Sequence, residues 1–223
     1  MNKETLKKWR LIIPGIIIFF LILFGLTNSK EELFTFYKIF KTLEWNDSIY
    51  LVLVIFFGTM YYLLGVRWYV WKLFNTQIQE NIKDKILNIS KSTLLSSQWF
   101  NLKKDRALMN IFYSFVDNDE SLKEKSKVVM FNGLIWSSFI DLSILSCLAA
   151  LLYSILSIFT SKSHYIILAD LLFCLSFLSL ICTSLLTRRH KTLSNEQLDI
   201  IAQTKKNEVE QKIKEAIDNL MIC

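Results

Sequence analysis

Apolar residues in this chain gather into long uninterrupted runs and do not alternate with polar ones. Two runs, Leu11–Thr27 and Ile49–Val66, lie in the first third. Two more make up Val128–Thr187 and are joined by the short polar turn Thr160–His164. A helix rises 1.5 Å per residue, so about 20 apolar residues cross the hydrocarbon of a bilayer. Only helices and closed barrels satisfy their backbone there. The pattern predicts an all-α integral membrane protein with four transmembrane helices in two hairpins. In the first run, Pro14 falls in the opening turn, where a missing N–H costs nothing.

The polar stretches carry helical spacing of their own. In 28–48, Leu33, Phe36, Tyr37, Phe40 and Leu43 suggest a short amphipathic helix on the outer membrane surface. Ile78, Ile82, Ile86 and Ile89 extend the second span into water, and Ser90–Gln98 is expected to break that helix. Leu108–Val116 reads as a short apolar helix. Asp117, with Glu120 three residues on, reads as the cap of the helix that follows. After the fourth span, Ser194 and Gln197 form a capping box, with Leu193 and Leu198 as its staple. They predict a separate C-terminal helix to about Ile222, with an apolar face that includes Leu198, Ile201, Val209, Ile213 and Ile217. The expected organisation is a basic head (1–10), a first hairpin (11–66), a helical insertion (67–127), a second hairpin (128–187) and a C-terminal amphipathic helix (188–223). That last helix packs on the insertion or pairs with copies of itself as a coiled coil.

Composition supports the helical reading. One Pro and five Gly in 223 residues leave little material for loops. The net charge of +6 admits nucleic acid as a partner, but its distribution points to a membrane. The head, 67–127 and the tail hold 22 of the 26 basic residues. The positive-inside rule then places both termini and the insertion in the cytosol. The run Arg67-Trp68-Tyr69-Val70-Trp71-Lys72, at the end of the second span, reads as a headgroup-level belt; stacking on single-stranded nucleic acid is the alternative. A basic head before an apolar run also describes a signal peptide. No small-x-small cleavage site follows, which favours an uncleaved anchor.

Candidate chemistry is sparse. Cys147, Cys174 and Cys182 lie in apolar runs, and neither they nor Cys223 form a CxxC pair. His164 and His190 flank opposite ends of a span, and no metal-ligand spacing, phosphate loop or GxSxG motif occurs. No cofactor, metal or catalytic residue is expected. Asp141 and Asp170 are the intramembrane acids. Counted from the turn near Lys162, they differ in depth by roughly 20 Å, too far for a dyad. Asn132, Ser137 and Asp141 line up as the wall of an aqueous vestibule, or Asp141 reaches the interface or pairs with a neighbouring Lys. Ser143, Ser146, Ala150, Ser154 and Ser157 form a small-residue face, as do Ala169, Ser176, Ser179, Thr183 and Thr187 on the fourth span. Such faces pack on each other or line a pore. Asp141 lies about 200° from Ser143 around the helix. A third span that is polar on two sides points to an oligomer. Lys103, Lys104, Arg106, Arg188 and Arg189 are the candidates for binding an anionic ligand or lipid headgroups.

One resemblance adds to this. Arg106, Ile111-Phe112-Tyr113, Asp117, Asp119, Leu122 and Lys125, followed by Phe131-Asn132-Gly133, Trp136 and Asp141-Leu142, look like a pattern in bacterial membrane proteins. Some of those are encoded beside nucleotidyltransferases in antiphage loci. The remaining layout resembles the four-span antiphage-defence membrane effectors, the Hailong HalA-like family. The resemblance implies a homo-oligomeric gated pore, a tetramer by family likeness, in the bacterial inner membrane. A nucleotide or single-stranded oligonucleotide would gate it through the basic cytosolic part. The alternative is a non-conducting scaffold that recruits a soluble partner protein through its C-terminal helix.

Overall fold

The computed structural model describes residues 3–26, 48–90, 101–103 and 106–222. The helices are α1 (Lys3–Leu26), α2 (Ser48–Leu64), α3 (Val66–Ile89), α4 (Ala107–Asn118), α5 (Glu120–Thr160), α6 (Ser163–Thr204) and α7 (Lys206–Ile222). No strand occurs among the described residues. The amphipathic segment expected at 28–48 lies outside them except for Ser48, as do most of Ser90–Gln98, Lys104 and Cys223. Three helices, α1, α5 and α6, are long and apolar enough to cross a membrane. The bent pair α2 and α3 makes a fourth if counted as one span.

Four expectations change. First, α1 begins at Lys3, so Pro14 sits well inside the helix and not in its first turn. Second, the helix over 49–66 and its extension are one path broken at Gly65, where the axis turns by 64°. Gly65 has φ +64, a conformation that costs an L side chain about 1–2 kcal/mol. Third, α4 runs on through Asn118, so the cap of α5 is Asp119 and not Asp117. Its Oδ1 accepts the backbone N–H groups of Ser121 (3.0 Å) and Leu122 (3.2 Å). Fourth, the capping box at Ser194 does not start a helix: α6 continues unbroken to Thr204. An N-cap must leave helical geometry, and no Gly or Pro in Ser163–Thr204 favours that. Gln197 instead donates from Nε2 to the Leu122 carbonyl at 3.3 Å. The break falls at Lys205.

The chain divides into two compact units. The first comprises Met1–Trp71 and Leu134–Ser184. Here α1 and α2 touch through their backbones. A Cβ on Gly15 would overlap the Val54 carbonyl, and one on Gly58 would overlap that of Leu11. Small residues permit this approach, which brings the two backbones into direct dispersion contact. The two small-residue faces of α5 and α6 pack on each other. Ser143 Oγ donates to the Ser176 carbonyl (3.1 Å), and Ser176 Oγ returns the bond to Ser143 (2.8 Å). Ala149, Ala150, Tyr153, Ala169 and Leu172 form the core nearby. Tyr153 Oη donates to the Leu21 carbonyl and so ties α5 to α1. The hairpin closes through Ser161, which takes a left-handed φ of 54.

The second unit comprises Lys72–Gly133 and Leu185–Cys223. Its core takes Ile78, Ile82 and Ile86 from α3, Leu108, Phe112 and Phe115 from α4, and Leu198 and Ile201 from α6. The apolar residues Val209, Ile213 and Ile217 of α7 are also buried. Lys212 bridges to α4, with Nζ 2.8 Å from Ser114 Oγ and 4.7 Å from the centre of the Phe115 ring.

Candidate functional site, a guanidinium clamp beside a basic cavity

The first unit contains a buried ion pair. Arg67, the second residue of α3, donates from Nε to Asp141 Oδ1 (2.6 Å) and from Nη2 to Oδ2 (2.5 Å). Tyr61 Oη donates to the same Oδ1 at 3.0 Å. The Arg67 guanidinium also lies 5.9 Å from the Tyr61 ring centre. Both carboxylate oxygens of Asp141 are therefore engaged, and the residue is buried. A bidentate, charge-assisted pair is the strongest form such a contact takes.

Two sequence features build this geometry. One is the Gly65 break. Tyr61 and Arg67 are six residues apart, which on a straight helix separates them by about 120° around the axis. The bend at Gly65 brings both side chains onto one carboxylate. The other is Pro14. Residue 14 of a helix normally donates its N–H to the carbonyl of residue 10, and Pro has no N–H to give. The freed Arg10 carbonyl accepts Arg67 Nη2 at 2.8 Å. One guanidinium thus holds α1, α3 and α5 together, using three of its five N–H donors.

Beside the clamp lies a cavity of about 840 Å³. Lys7, Arg10 and Leu11 of α1 line it, with Tyr61, Tyr62, Gly65, Arg67, Trp68 and Trp71 from the bent pair and Ser137 from α5. Arg10 is near enough to feel the charges of both Arg67 and Asp141.

The residues expected from the sequence are distributed differently. Asp141 is paired, but with Arg67, 74 residues away, and not with a neighbouring Lys; the cation comes from the segment read as an interfacial belt. Ser137 lines the cavity and donates to the Leu134 carbonyl of its own helix at 2.9 Å. Asn132 belongs to the second unit, where its Nδ2 meets the Leu186 carbonyl (3.3 Å) and His190 Nδ1 (3.2 Å). Asn132 thus belongs to a different unit from Ser137 and Asp141. The two polar sides of α5 in the first unit are both occupied within the chain, Ser143 by α6 and Asp141 by α3, so they give no argument for an oligomer. The Ser143–Ser176 register sets Asp170 eight residues along the axis from the level of Asp141. That is about 12 Å, closer than the turn count suggested and still too far for a dyad. Asp170 is exposed on α6 among exposed Ile166, Ile167, Leu171, Phe173 and Phe177.

Of the expected anion-binding residues, Lys103, Arg106, Arg188 and Arg189 are in the second unit, and Lys104 lies outside the described residues. Lys103 Nζ is held by Asp84 (2.7 Å) and Glu80 (3.1 Å). These hydrogen bonds, led by the one to Asp84, raise its pKa above the ordinary lysine value. Arg106 is exposed before α4, and Arg188 and Arg189 are exposed on α6. The residues missed by sequence reasoning are Lys7, Arg10, Tyr61 and Arg67. Their signals were the interior proline and the glycine ahead of Arg67. No group of His, Cys, Asp and Glu that could hold a metal occurs among the described residues. No protein-family model, curated protein or solved structure matches this chain.

Proposed function

We propose that the chain is a subunit of a homo-oligomeric membrane pore, with both termini and the second unit in the cytosol. The observation that carries this reading is Asp170. A carboxylate on an otherwise apolar helix face is costly against lipid, at about 2.5–3.5 kcal/mol near the helix centre by insertion scales. Its cost falls if copies of α6 meet around a wet axis. The Arg67–Asp141 clamp and the bend at Gly65 then supply a two-state element: α3 is held against α1 and α5 by one side chain, and its release frees the second half of a broken span. An anionic signal, such as a nucleotide or oligonucleotide, would act on the exposed Arg188 and Arg189 of the second unit. The setting in antiphage defence and in a bacterial inner membrane rests on the family resemblance alone.

A non-conducting scaffold that recruits a partner through its C-terminal helix fits less well. Val209, Ile213 and Ile217 of that helix are already buried, which leaves it mainly a charged face to offer. The test is purified full-length chain in planar bilayers, with its mass in detergent measured by light scattering. The expected result is an oligomer with discrete conductance steps that change in Asp170→Asn. A monomer that stays silent with and without nucleotide refutes the proposal.

A further inference from the structure

We infer that the cavity beside the clamp binds the phosphate of an anionic phospholipid. Three cations, Lys7, Arg10 and Arg67, face it, and the one carboxylate beside them, Asp141, is already spent on Arg67 and Tyr61. Lys7 and Arg10 have no hydrogen bond or ion pair to a carboxylate among the described residues. Arg67 keeps the two N–H groups of Nη1, so it can meet a phosphate oxygen without leaving Asp141. The site therefore carries unbalanced positive charge inside a preformed hollow. A volume of about 840 Å³ is more than a phosphate alone needs and suits a headgroup with the start of its acyl chains.

The rim argues for lipid over a soluble phosphate. Tyr62, Leu63, Leu64 and Trp68 are exposed around the break. Of these, Tyr62 and Trp68 line the cavity, and Leu11, Tyr61 and Trp71 add to its apolar lining. A ligand with a phosphate at one end and hydrocarbon at the other satisfies both parts, whereas a nucleotide leaves the apolar rim bare. Basic pockets between membrane helices recognise acidic headgroups in this manner. The inference rests on the membrane reading of these helices and not on conduction.

Native mass spectrometry of the full-length chain, released from detergent, tests it. Phosphatidylglycerol and phosphatidylcholine are titrated separately against the unmodified chain, Lys7→Gln/Arg10→Gln and a control pair of exposed lysines, Lys123→Gln/Lys214→Gln. Each basic residue near a headgroup contributes about 1 kcal/mol, so the first pair should weaken phosphatidylglycerol binding ~30-fold. The second pair should leave it unchanged. Circular dichroism melting checks that the variants fold. If the double variant does not, Arg10→Lys, which keeps the charge and loses the fork, should still weaken binding. Equal loss in both pairs means diffuse surface charge and overturns the site. Equal affinity for phosphatidylcholine overturns it too. Displacement of the lipid by inorganic phosphate or ATP at matched concentration overturns the lipid assignment. Because no current is measured, a silent bilayer experiment and a failed lipid titration are separate results.

Discussion

Removing either half of the clamp should cost more than removing both. Asp141 accepts three hydrogen bonds, two from a guanidinium and one from a phenol. At about 1.5–3 kcal/mol per bond to a charged group, their sum of about 4.5–9 kcal/mol reaches well past the 3–5 kcal/mol usually lost when one partner of a buried pair is deleted. The difference is relaxation, and the two halves relax unequally. The Asp141 side chain is 2% exposed and the Arg67 side chain 18% exposed. Without Asp141, the guanidinium keeps its bond to the Arg10 carbonyl and turns toward the cavity. Without Arg67, the carboxylate keeps only Tyr61. Arg67→Met should therefore sit near the upper end of that range and Asp141→Leu near the lower. The double variant leaves no stranded charge, and such replacements range from neutral to stabilising by about 1–4 kcal/mol. The assay is equilibrium unfolding of the detergent-solubilised chain in SDS, followed by circular dichroism, as a double-mutant cycle. A coupling energy of at least about 2 kcal/mol is expected. Additive single effects, or a larger loss for Asp141→Leu than for Arg67→Met, would refute the reasoning.

Other changes probe neighbouring features. Pro14→Ala restores an N–H that competes for the Arg10 carbonyl. Its intrinsic gain of about 3 kcal/mol should be largely offset by the weakened Arg67 bond, so the same titration should show little change; the full gain would mean that Arg67 does not depend on that carbonyl. Gly65→Ala meets nothing within 4 Å, so its cost is conformational alone, about 1–2 kcal/mol, and a neutral result would show the bend to be unstrained. Gly15→Val drives a side chain into the α2 backbone and should cost about 1–3 kcal/mol or more by overpacking, read as a lower detergent melting temperature. Ser121 and Leu122 donors, with Lys205 beyond them, hold the Asp119 carboxyl below its usual range. Its share of stability is complete above the unfolded value of about 3.9 and is lost as pH falls through the lower folded value. Acid titration of melting should show a loss below about pH 4 that is smaller in Asp119→Asn.

Hydropathy alone determines much of the secondary structure here, because a long apolar run must pair its backbone groups within itself wherever no water reaches them. Long apolar runs in a chain nearly without Gly and Pro point to helices, and residues 11–26, 128–160 and 163–187 of those runs lie within α1, α5 and α6. The small-residue periodicity of α5 and α6 marked two faces for close approach and left open whether they meet each other or line a pore; the Ser143–Ser176 bonds decide for the first. Helix ends were harder to read. The Ser194 box describes a start that is available, and whether the chain uses it depends on Gln197 finding the Leu122 carbonyl. The clamp needed the tertiary structure for the same reason. Asp141 and Arg67 are 74 residues apart, and nothing local in either names the other. Pro14 reads as a harmless first-turn proline until Arg67 takes the carbonyl it leaves free, and Gly65 reads as an ordinary glycine until its 64° bend brings Tyr61 and Arg67 to one acid. Local sequence sets which backbone groups are left unpaired, and only the packing of distant helices decides what pairs with them.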